Sequence, residues 1–216
     1  MNDTLKAARL DFSLIKPYTK NICLTMAIPV AFTIINRSLM TGVSFAMCFI
    51  AMTAGYTFSI SEKNGMDRLY GILPISKKNL VLGRYLYTCS MGVLALLFSI
   101  IVHPVILKVL GETVQSLDIY LAAIPGIIMF TLYTVFQLPG YYKFGSINGR
   151  IFMYIPAVGF LAMLLLISKF DVPGNPIMAA LIGKSIVSVL SLLLMCVIAY
   201  VISIIVSIKI IRSKEV

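Results

Sequence analysis

Apolar runs long enough to cross a lipid bilayer alternate with short polar segments along the whole chain. Hydrophobic residues make up 60% of the 216 residues and charged residues only 12%. A soluble domain carries roughly 25% charged residues, so an ordinary soluble globule is excluded. The composition predicts an all-α, polytopic membrane protein.

The apolar runs predict six transmembrane helices in one membrane domain that covers residues 1–216. Small residues in the second run predict close packing of that helix against a neighbour. The glycine-rich residues 139–150 predict a turn-rich loop. The predicted spans are residues 21–36, 42–60, 80–107, 119–138, 151–168 and 181–208, and the small residues are Ala46, Ala51, Ala54 and Gly55.

Residues 1–20 predict an amphipathic elbow helix rather than a signal peptide. Asp3 and Asp11 interrupt the positive charges, and no apolar core or cleavage site follows. Apolar residues recur at helical spacing between polar ones, as is typical of a helix in the membrane interface. A simple positive anchor for the first span explains the segment equally well. The apolar stripe is Leu5, Ala8, Phe12 and Ile15.

The distribution of Lys and Arg between the two sides of the predicted topology is strongly uneven. Fourteen of them fall with the termini, the loop after span two and the loop after span four, against four on the other side. Since positive loops stay inside, both termini and the 61–79 loop are predicted to be cytoplasmic. This topology also explains the net charge of +10 without a nucleic-acid partner.

Several kinds of chemistry lack support in the sequence. No span carries Asp or Glu near its middle, which argues against transport driven by protons or sodium. No nucleophile motif, phosphate-binding loop or metal-ligand spacing occurs, so we expect no catalytic residues, no metal site and no cofactor in this chain. The single histidine, His103, is expected to make a local hydrogen bond. The cysteines are expected to be small buried hydrophobic residues; they are Cys23, Cys48, Cys89 and Cys196.

Residues 62–85 form the longest polar interruption in the chain. Within it, Asp67 to Leu73 predicts a short helix that Pro74 ends, and Ser76 predicts the cap of the next helix. Such a surface helix suits the docking of a soluble partner; contact with lipid headgroups is the alternative explanation. Its apolar face is Met66, Leu69, Tyr70 and Leu73.

The stretch FSISEKNGMDRLYGILPISKKNLVLGRYLY resembles the cytoplasmic signature of ABC-2 type transporter permeases. It is most similar to the small bacterial branch that includes the phenol-soluble modulin exporter permeases. The resemblance implies a permease subunit in a bacterial cell membrane, without its own nucleotide site. It also implies two separate ABC ATPase subunits that bind ATP and Mg, and a second permease copy, identical or related.

The resemblance assigns the loop between spans two and three, residues 61–79, to the coupling segment that docks on the ATPase. Glu62 matches the acidic residue of the family at the end of span two, and residues 64–73 match the coupling helix. The expected docking residues are Glu62, Lys63, Asn64, Met66, Asp67, Arg68, Leu69, Tyr70, Leu73 and Pro74.

Relatives of this kind place the substrate path between the two permeases, lined by spans one, two and five. An aromatic, uncharged wall would suit an amphipathic peptide or a lipid-like molecule. The candidate path residues are Phe45, Phe49, Tyr56, Phe152, Tyr154 and Phe160.

Two other functions stay open at this point. A self-immunity protein that shields the membrane from an amphipathic peptide would act without an ATPase. The membrane component of an importer would need a substrate-binding partner outside the cell. The resemblance favours an exporter over both.

Overall fold

In the computed structural model, which describes residues 3–66, 76–159 and 186–213, every regular element is a helix. This confirms the predicted all-α fold for the described residues. The elements in order are α1 (Asp3–Ile15), a 3-10 turn (Lys16–Tyr18), α2 (Thr19–Asn36), α3 (Leu39–Lys63), α4 (Lys77–Val109), α5 (Ser116–Asn148), α6 (residues 151–159) and α7 (Ile186–Ser213).

Five helical segments in the described residues are long and apolar enough to cross a membrane. The first joins α1, the 3-10 turn and α2, and the others are α3, α4, α5 and Val189–Ser213. The predicted fifth span begins as α6, and its residues 160–168 lie outside the described part of the chain. The count of six spans therefore stays a prediction.

Local capping explains where several helices begin. The Ser76 hydroxyl accepts a hydrogen bond from the Asn79 backbone N–H at 3.3 Å, as predicted from the sequence. The Ser38 hydroxyl accepts one from Thr41 N–H at 3.4 Å before α3. At the start of α5, the Gln115 N–H donates to the Asp118 carboxylate at 2.9 Å. These caps satisfy donors that have no partner within the helix.

Helix α3 forms the centre of the bundle and packs most extensively against α5. Its small residues Ala46, Ala51 and Ala54 are at most 3% exposed, which confirms the predicted close packing. Gly55 lies against the Tyr141 ring of α5 so closely that a Cβ atom would clash with it. Small residues allow helix backbones to approach closely where lipid supplies no hydrophobic driving force.

The predicted turn-rich loop over residues 139–150 is only partly correct: α5 continues past Pro139, breaks at Gly145 and ends at Asn148, and a turn follows at Gly149 and Arg150. Pro139 cannot donate the backbone hydrogen bond that the Val135 carbonyl would normally accept. The Ser203 hydroxyl of α7 donates to that carbonyl instead, at 3.0 Å. The helix therefore tolerates its proline because a neighbouring helix supplies the missing donor.

The predicted apolar stripe of α1 is divided between buried and exposed positions. Ala8 and Ile15 are buried, whereas Leu5 is 51% and Phe12 41% exposed. The buried face also includes Asp11, which is 3% exposed. Helix α1 turns this face towards α4, where Gly83 leaves room for the backbone of α1. It therefore packs on protein through a face that contains an acidic residue.

The expectation of buried cysteines is also wrong. Cys23 and Cys89 are exposed, Cys48 and Cys196 are partly exposed, and all four are free thiols. A small apolar side chain on the outward surface of a membrane helix contacts lipid, so burial within the protein is not required.

Candidate functional site

The described segments richest in positive charge meet at one end of the bundle, which we call the basic end. One cavity there is lined by residues of five helices, α1, α3, α4, α5 and α7. At the opposite end, Arg37 Nη1 lies 3.3 Å from Glu112 Oε1. This grouping of segments is the one that the Lys and Arg distribution predicts. Each of the five helices contributes at least one lining residue to this cavity: Ala7 from α1, Glu62 from α3, Lys77 from α4, Gly145 from α5 and Ile211 from α7.

The two ends of the predicted coupling segment lie at the basic end. Helix α3 ends at Lys63, followed by a turn at Asn64 and Gly65, and Ser76 precedes α4. Lys63 and Asn64 are exposed and Met66 is half-buried. The docking role of the segment stays a prediction, because six of its ten residues lie outside the described part of the chain. Those six are Asp67, Arg68, Leu69, Tyr70, Leu73 and Pro74.

Arg84 of α4 connects three helices near the start of that element. Its Nε donates to Asp11 Oδ2 at 3.3 Å and its Nη2 donates to Asp11 Oδ1 at 3.2 Å. Nη2 also donates to the Ser61 hydroxyl of α3 at 3.1 Å. The planar guanidinium matches both oxygens of one carboxylate, which makes this pair directional as well as strong.

An aromatic ring completes the surroundings of Arg84. The guanidinium carbon lies 4.3 Å from the centre of the Phe58 ring, within the range of a cation–π interaction. Phe58 in turn stacks on Tyr141 of α5, with ring centres 4.9 Å apart. The charge of Arg84 is therefore held between an acidic group of α1 and a ring of α3.

The sequence interpretation missed this arrangement, because Arg84 was counted as a topological charge and Asp11 only as an interruption of positive charge. A signal was present. Arg84 stands inside the apolar run 80–107, and an arginine within a membrane helix requires an acidic partner or a polar surrounding. Asp11 lies in the preceding basic segment and supplies that partner.

Glu62 makes a second connection, from the last turn of α3 to a break in α5. Its carboxylate accepts from the Ser146 backbone N–H at 2.6 Å and also from the Ser146 hydroxyl. Gly145 precedes Ser146 with φ 80° and ψ −176°, a backbone conformation that is nearly restricted to glycine. Glu62 thus provides an acceptor for the Ser146 N–H, which lies at the start of the helical turn after the break.

The cavity between these two connections has a volume of about 330 Å³. Asp11, Ser61, Glu62 and Arg84 give it a polar wall, and Tyr142 contributes an aromatic one. Within the described residues, no group of three or more metal-binding side chains occurs. The site can hold helices together and pass a displacement between them; its side chains form no nucleophile-and-base pair.

A chain of hydroxyl groups joins α4 to α7 deeper in the bundle. The Tyr85 hydroxyl lies 2.7 Å from Ser203 Oγ and 2.8 Å from Ser207 Oγ. The Ser203 hydroxyl donates its only hydrogen to the Val135 carbonyl, so it must accept from the Tyr85 hydroxyl. Since the Tyr85 hydrogen is then used, Ser207 must donate to Tyr85. The direction of each bond is therefore determined.

The predicted path residues fall into two described groups. In the first group, the Phe45 ring stacks on the Phe32 ring of α2 with ring centres 4.6 Å apart, and its centre lies 6.5 Å from that of Phe49. In the second, Phe152 stacks on Phe144 at 5.2 Å. Tyr56 and Tyr154 are 37% and 58% exposed, and Phe160 lies outside the described residues. A path through these residues stays a prediction.

The model of the ABC-2 family transporter proteins matches residues 9–212, which is nearly the whole chain. A search of curated proteins with this chain found no match.

Proposed function

Because the chain belongs to the ABC-2 family of transporter proteins, it is the membrane permease component of an ABC transporter, and we propose that it exports amphipathic peptides from a bacterial cell. ATP and Mg bind to two separate ATPase subunits, and a second permease copy completes the membrane part. The phenol-soluble modulin exporters are the relatives we propose as the nearest in function. We place both termini and the 61–79 segment in the cytoplasm.

The observation that supports this proposal is the attachment of both ends of the 61–79 segment. At one end, Glu62 is hydrogen-bonded to Ser146 at the break in α5. Just beyond the other end, Arg84 of α4 is paired with Asp11 of α1 and with Ser61 of α3. A displacement of the segment by an ATPase would therefore move α1, α3, α4 and α5 together.

Coupling through rigid contacts requires elements that cannot absorb the displacement. One connection is a two-point charged pair, and the other joins Glu62 to the residue after the break at Gly145; we propose that both transmit the displacement. We propose that docking uses Met66, Leu69, Tyr70 and Leu73, with Asp67 and Arg68 setting the register.

The proposed substrate class follows from the surfaces of the spans. Phe32, Phe45 and Phe49 form an uncharged aromatic surface on α2 and α3. Such a surface would contact the apolar face of an amphipathic peptide. We propose that it lies at the contact between the two permease copies, together with α6.

The test is co-purification of an ATPase with the tagged permease from native membranes in mild detergent. We expect Leu69→Asp to abolish co-purification. Leu117→Asp is the matched control, because Leu117 is a 63% exposed leucine at the opposite end of the bundle. A permease that carries no ATPase, or one that loses it equally in both variants, would contradict the proposed docking.

The substrate is tested separately in vesicles that contain the purified complex. We expect an amphipathic helical peptide to stimulate ATP hydrolysis severalfold, and a peptide of the same composition without an apolar face to have no effect. Stimulation by neither peptide, with the ATPase still bound, would overturn the peptide assignment and leave the docking intact.

A further inference from the structure

A groove with a volume of about 730 Å³ opens between α5, α6 and α7 near the basic end. Its wall is predominantly apolar, and several of the lining side chains are partly exposed, among them Phe136 at 42% and Val206 at 42%. The volume lies within the range of sites that take a drug-sized apolar ligand. The apolar wall includes Phe136, Phe144, Phe152, Ile202, Val206 and Ile210.

Part of the groove wall, including Phe136, Phe152 and Val206, belongs to the predicted spans, where water is a poor occupant. An apolar surface at that depth is covered by lipid chains or by protein, because hydrating it would forfeit the free energy of burial. Pro139 and Gly140 form part of its floor, and Gly140 lets the Phe152 ring approach the backbone of α5.

Two lysines give the groove a positive rim. Lys143 follows Gly140 in α5 and Lys209 stands near the end of α7, and both line the groove with exposed side chains. Lys143 Nζ lies 5.2 Å from the centre of the Phe144 ring, which holds the ammonium group beside the apolar wall. An apolar wall with cations at one end matches a molecule with an anionic head and a hydrocarbon tail.

The described acidic groups at the basic end are engaged elsewhere. Asp3 pairs with Lys6 at 3.1 Å, Asp11 pairs with Arg84, and Glu62 accepts from Ser146. Among the described residues, none of these carboxylates lines the groove. The rim is therefore positive in the part of the chain that the structure describes.

We propose that this groove binds one anionic phospholipid of the adjacent leaflet. The phosphate lies between Lys143 and Lys209, and an acyl chain lies along Phe136 and Val206. Basic pockets between membrane helices bind anionic headgroups through the same combination of charge and apolar contact. The site differs from the Arg84 and Glu62 connections and does not depend on the proposed transport function.

The absence of tryptophan in the chain allows a direct measurement. Phe136→Trp places a single tryptophan in the groove, and Phe98→Trp places one on α4, outside the groove. Both phenylalanines are 42% exposed, so they form a matched pair. The full-length variants are reconstituted in vesicles with brominated phosphatidylglycerol or brominated phosphatidylcholine, whose bromine atoms quench tryptophan fluorescence on contact.

The ratio of the two apparent lipid affinities is the readout. We expect Phe136→Trp to show a preference for phosphatidylglycerol of roughly fivefold, and Phe98→Trp to show none. Adding Lys143→Gln with Lys209→Gln should abolish the preference. Adding Lys16→Gln with Lys20→Gln, which removes the same charge outside the groove lining, should leave it unchanged.

Three results would overturn the proposal. Equal quenching of the Phe136→Trp variant by both lipids would show that the groove takes chains without selecting a headgroup. A preference that survives the loss of Lys143 and Lys209 would place the anionic headgroup elsewhere. Quenching by neither lipid would show that protein covers the groove.

Discussion

Arg84 and Asp11 are separated by 73 residues in the chain and joined by two hydrogen bonds of 3.2 and 3.3 Å. Asp11 is 3% and Arg84 8% exposed, so both charged groups are almost completely removed from solvent. A desolvated charge is stable only with a partner of opposite sign or a dense set of hydrogen bonds. The pair therefore binds α1 to α4 more specifically than apolar packing alone would.

We expect Arg84→Met to reduce the free energy of unfolding by about 3–5 kcal/mol, because it leaves the Asp11 carboxylate buried and uncompensated. The double variant Asp11→Leu with Arg84→Met should lose less than the sum of the two single changes, since it removes both charges. Unfolding of the purified protein, titrated with a denaturing detergent, measures all three variants.

The control for this cycle is the pair at the opposite end of the bundle. Arg37 and Glu112 lie 3.3 Å apart with side chains 63% and 41% exposed. Arg37→Met and Glu112→Leu should each change stability by no more than about 1 kcal/mol, because solvent screens the pair. Equal losses at both pairs would contradict the role assigned to burial.

Gly145→Ala tests the break in α5. We expect a loss of about 1–3 kcal/mol, because a side chain is strained at φ 80° and ψ −176°. A Cβ there would also lie 2.8 Å from Glu62 Oε1. The displaced carboxylate should lower the coupled ATPase activity of the assembled transporter more than ATPase binding, and both are measured on the purified complex.

Gly111→Ala separates backbone strain from crowding. Gly111 has φ 85°, yet nothing lies within 4 Å of the Cβ position. Its substitution should therefore destabilise the protein without altering coupled ATP hydrolysis. If Gly111→Ala and Gly145→Ala lower the coupled ATPase activity equally, the contact between Glu62 and the break does not contribute to coupling.

The helices themselves could be predicted because their signals are local. Apolar runs of sufficient length predicted α2, α3 and α4. Ser76 was predicted to cap the next helix, and α4 begins directly after it. The close packing of α3 was predicted from Ala46, Ala51 and Ala54, since small residues mark a helix contact wherever the partner lies.

The continuation of α5 could not be predicted in the same way. Pro139 and the following glycines favour a loop by every local rule. The helix continues past Pro139 as far as the break at Gly145, and Ser203, far along the chain, donates to the carbonyl that Pro139 leaves without a partner. A local pattern carries no information about such a donor.

The candidate site was predicted only at its edges. The segment 61–79 was identified from its polarity and its family signature, and Glu62 was included for its position. Its partner Ser146 was not predicted, because the interaction joins the end of α3 to a break in a helix that was itself read as a loop. Asp11 and Arg84 each carry a charge that the topology rule explains by itself, so the rule concealed their pairing.

The last prediction concerns Ser203 and Pro139. Ser203→Ala removes the donor to the Val135 carbonyl and the acceptor for Tyr85, and we expect a loss of about 1–3 kcal/mol. Pro139→Ala restores a backbone N–H that can bond to Val135 within the helix. Ser203→Ala should therefore cost less in a Pro139→Ala background than in the natural sequence.

Unfolding titrations of the two single variants and the double variant measure this coupling. Ser213→Ala is the control, because the exposed Ser213 hydroxyl donates to the Ile210 carbonyl at 2.9 Å within its own helix. Its removal should change stability little and should be additive with Pro139→Ala. Additive effects of Ser203→Ala and Pro139→Ala would mean that α5 keeps its helix past the proline without the α7 hydroxyl. A coupling confined to Ser203 would instead show that α7 provides the donor that allows α5 to continue past Pro139 as far as the break at Gly145.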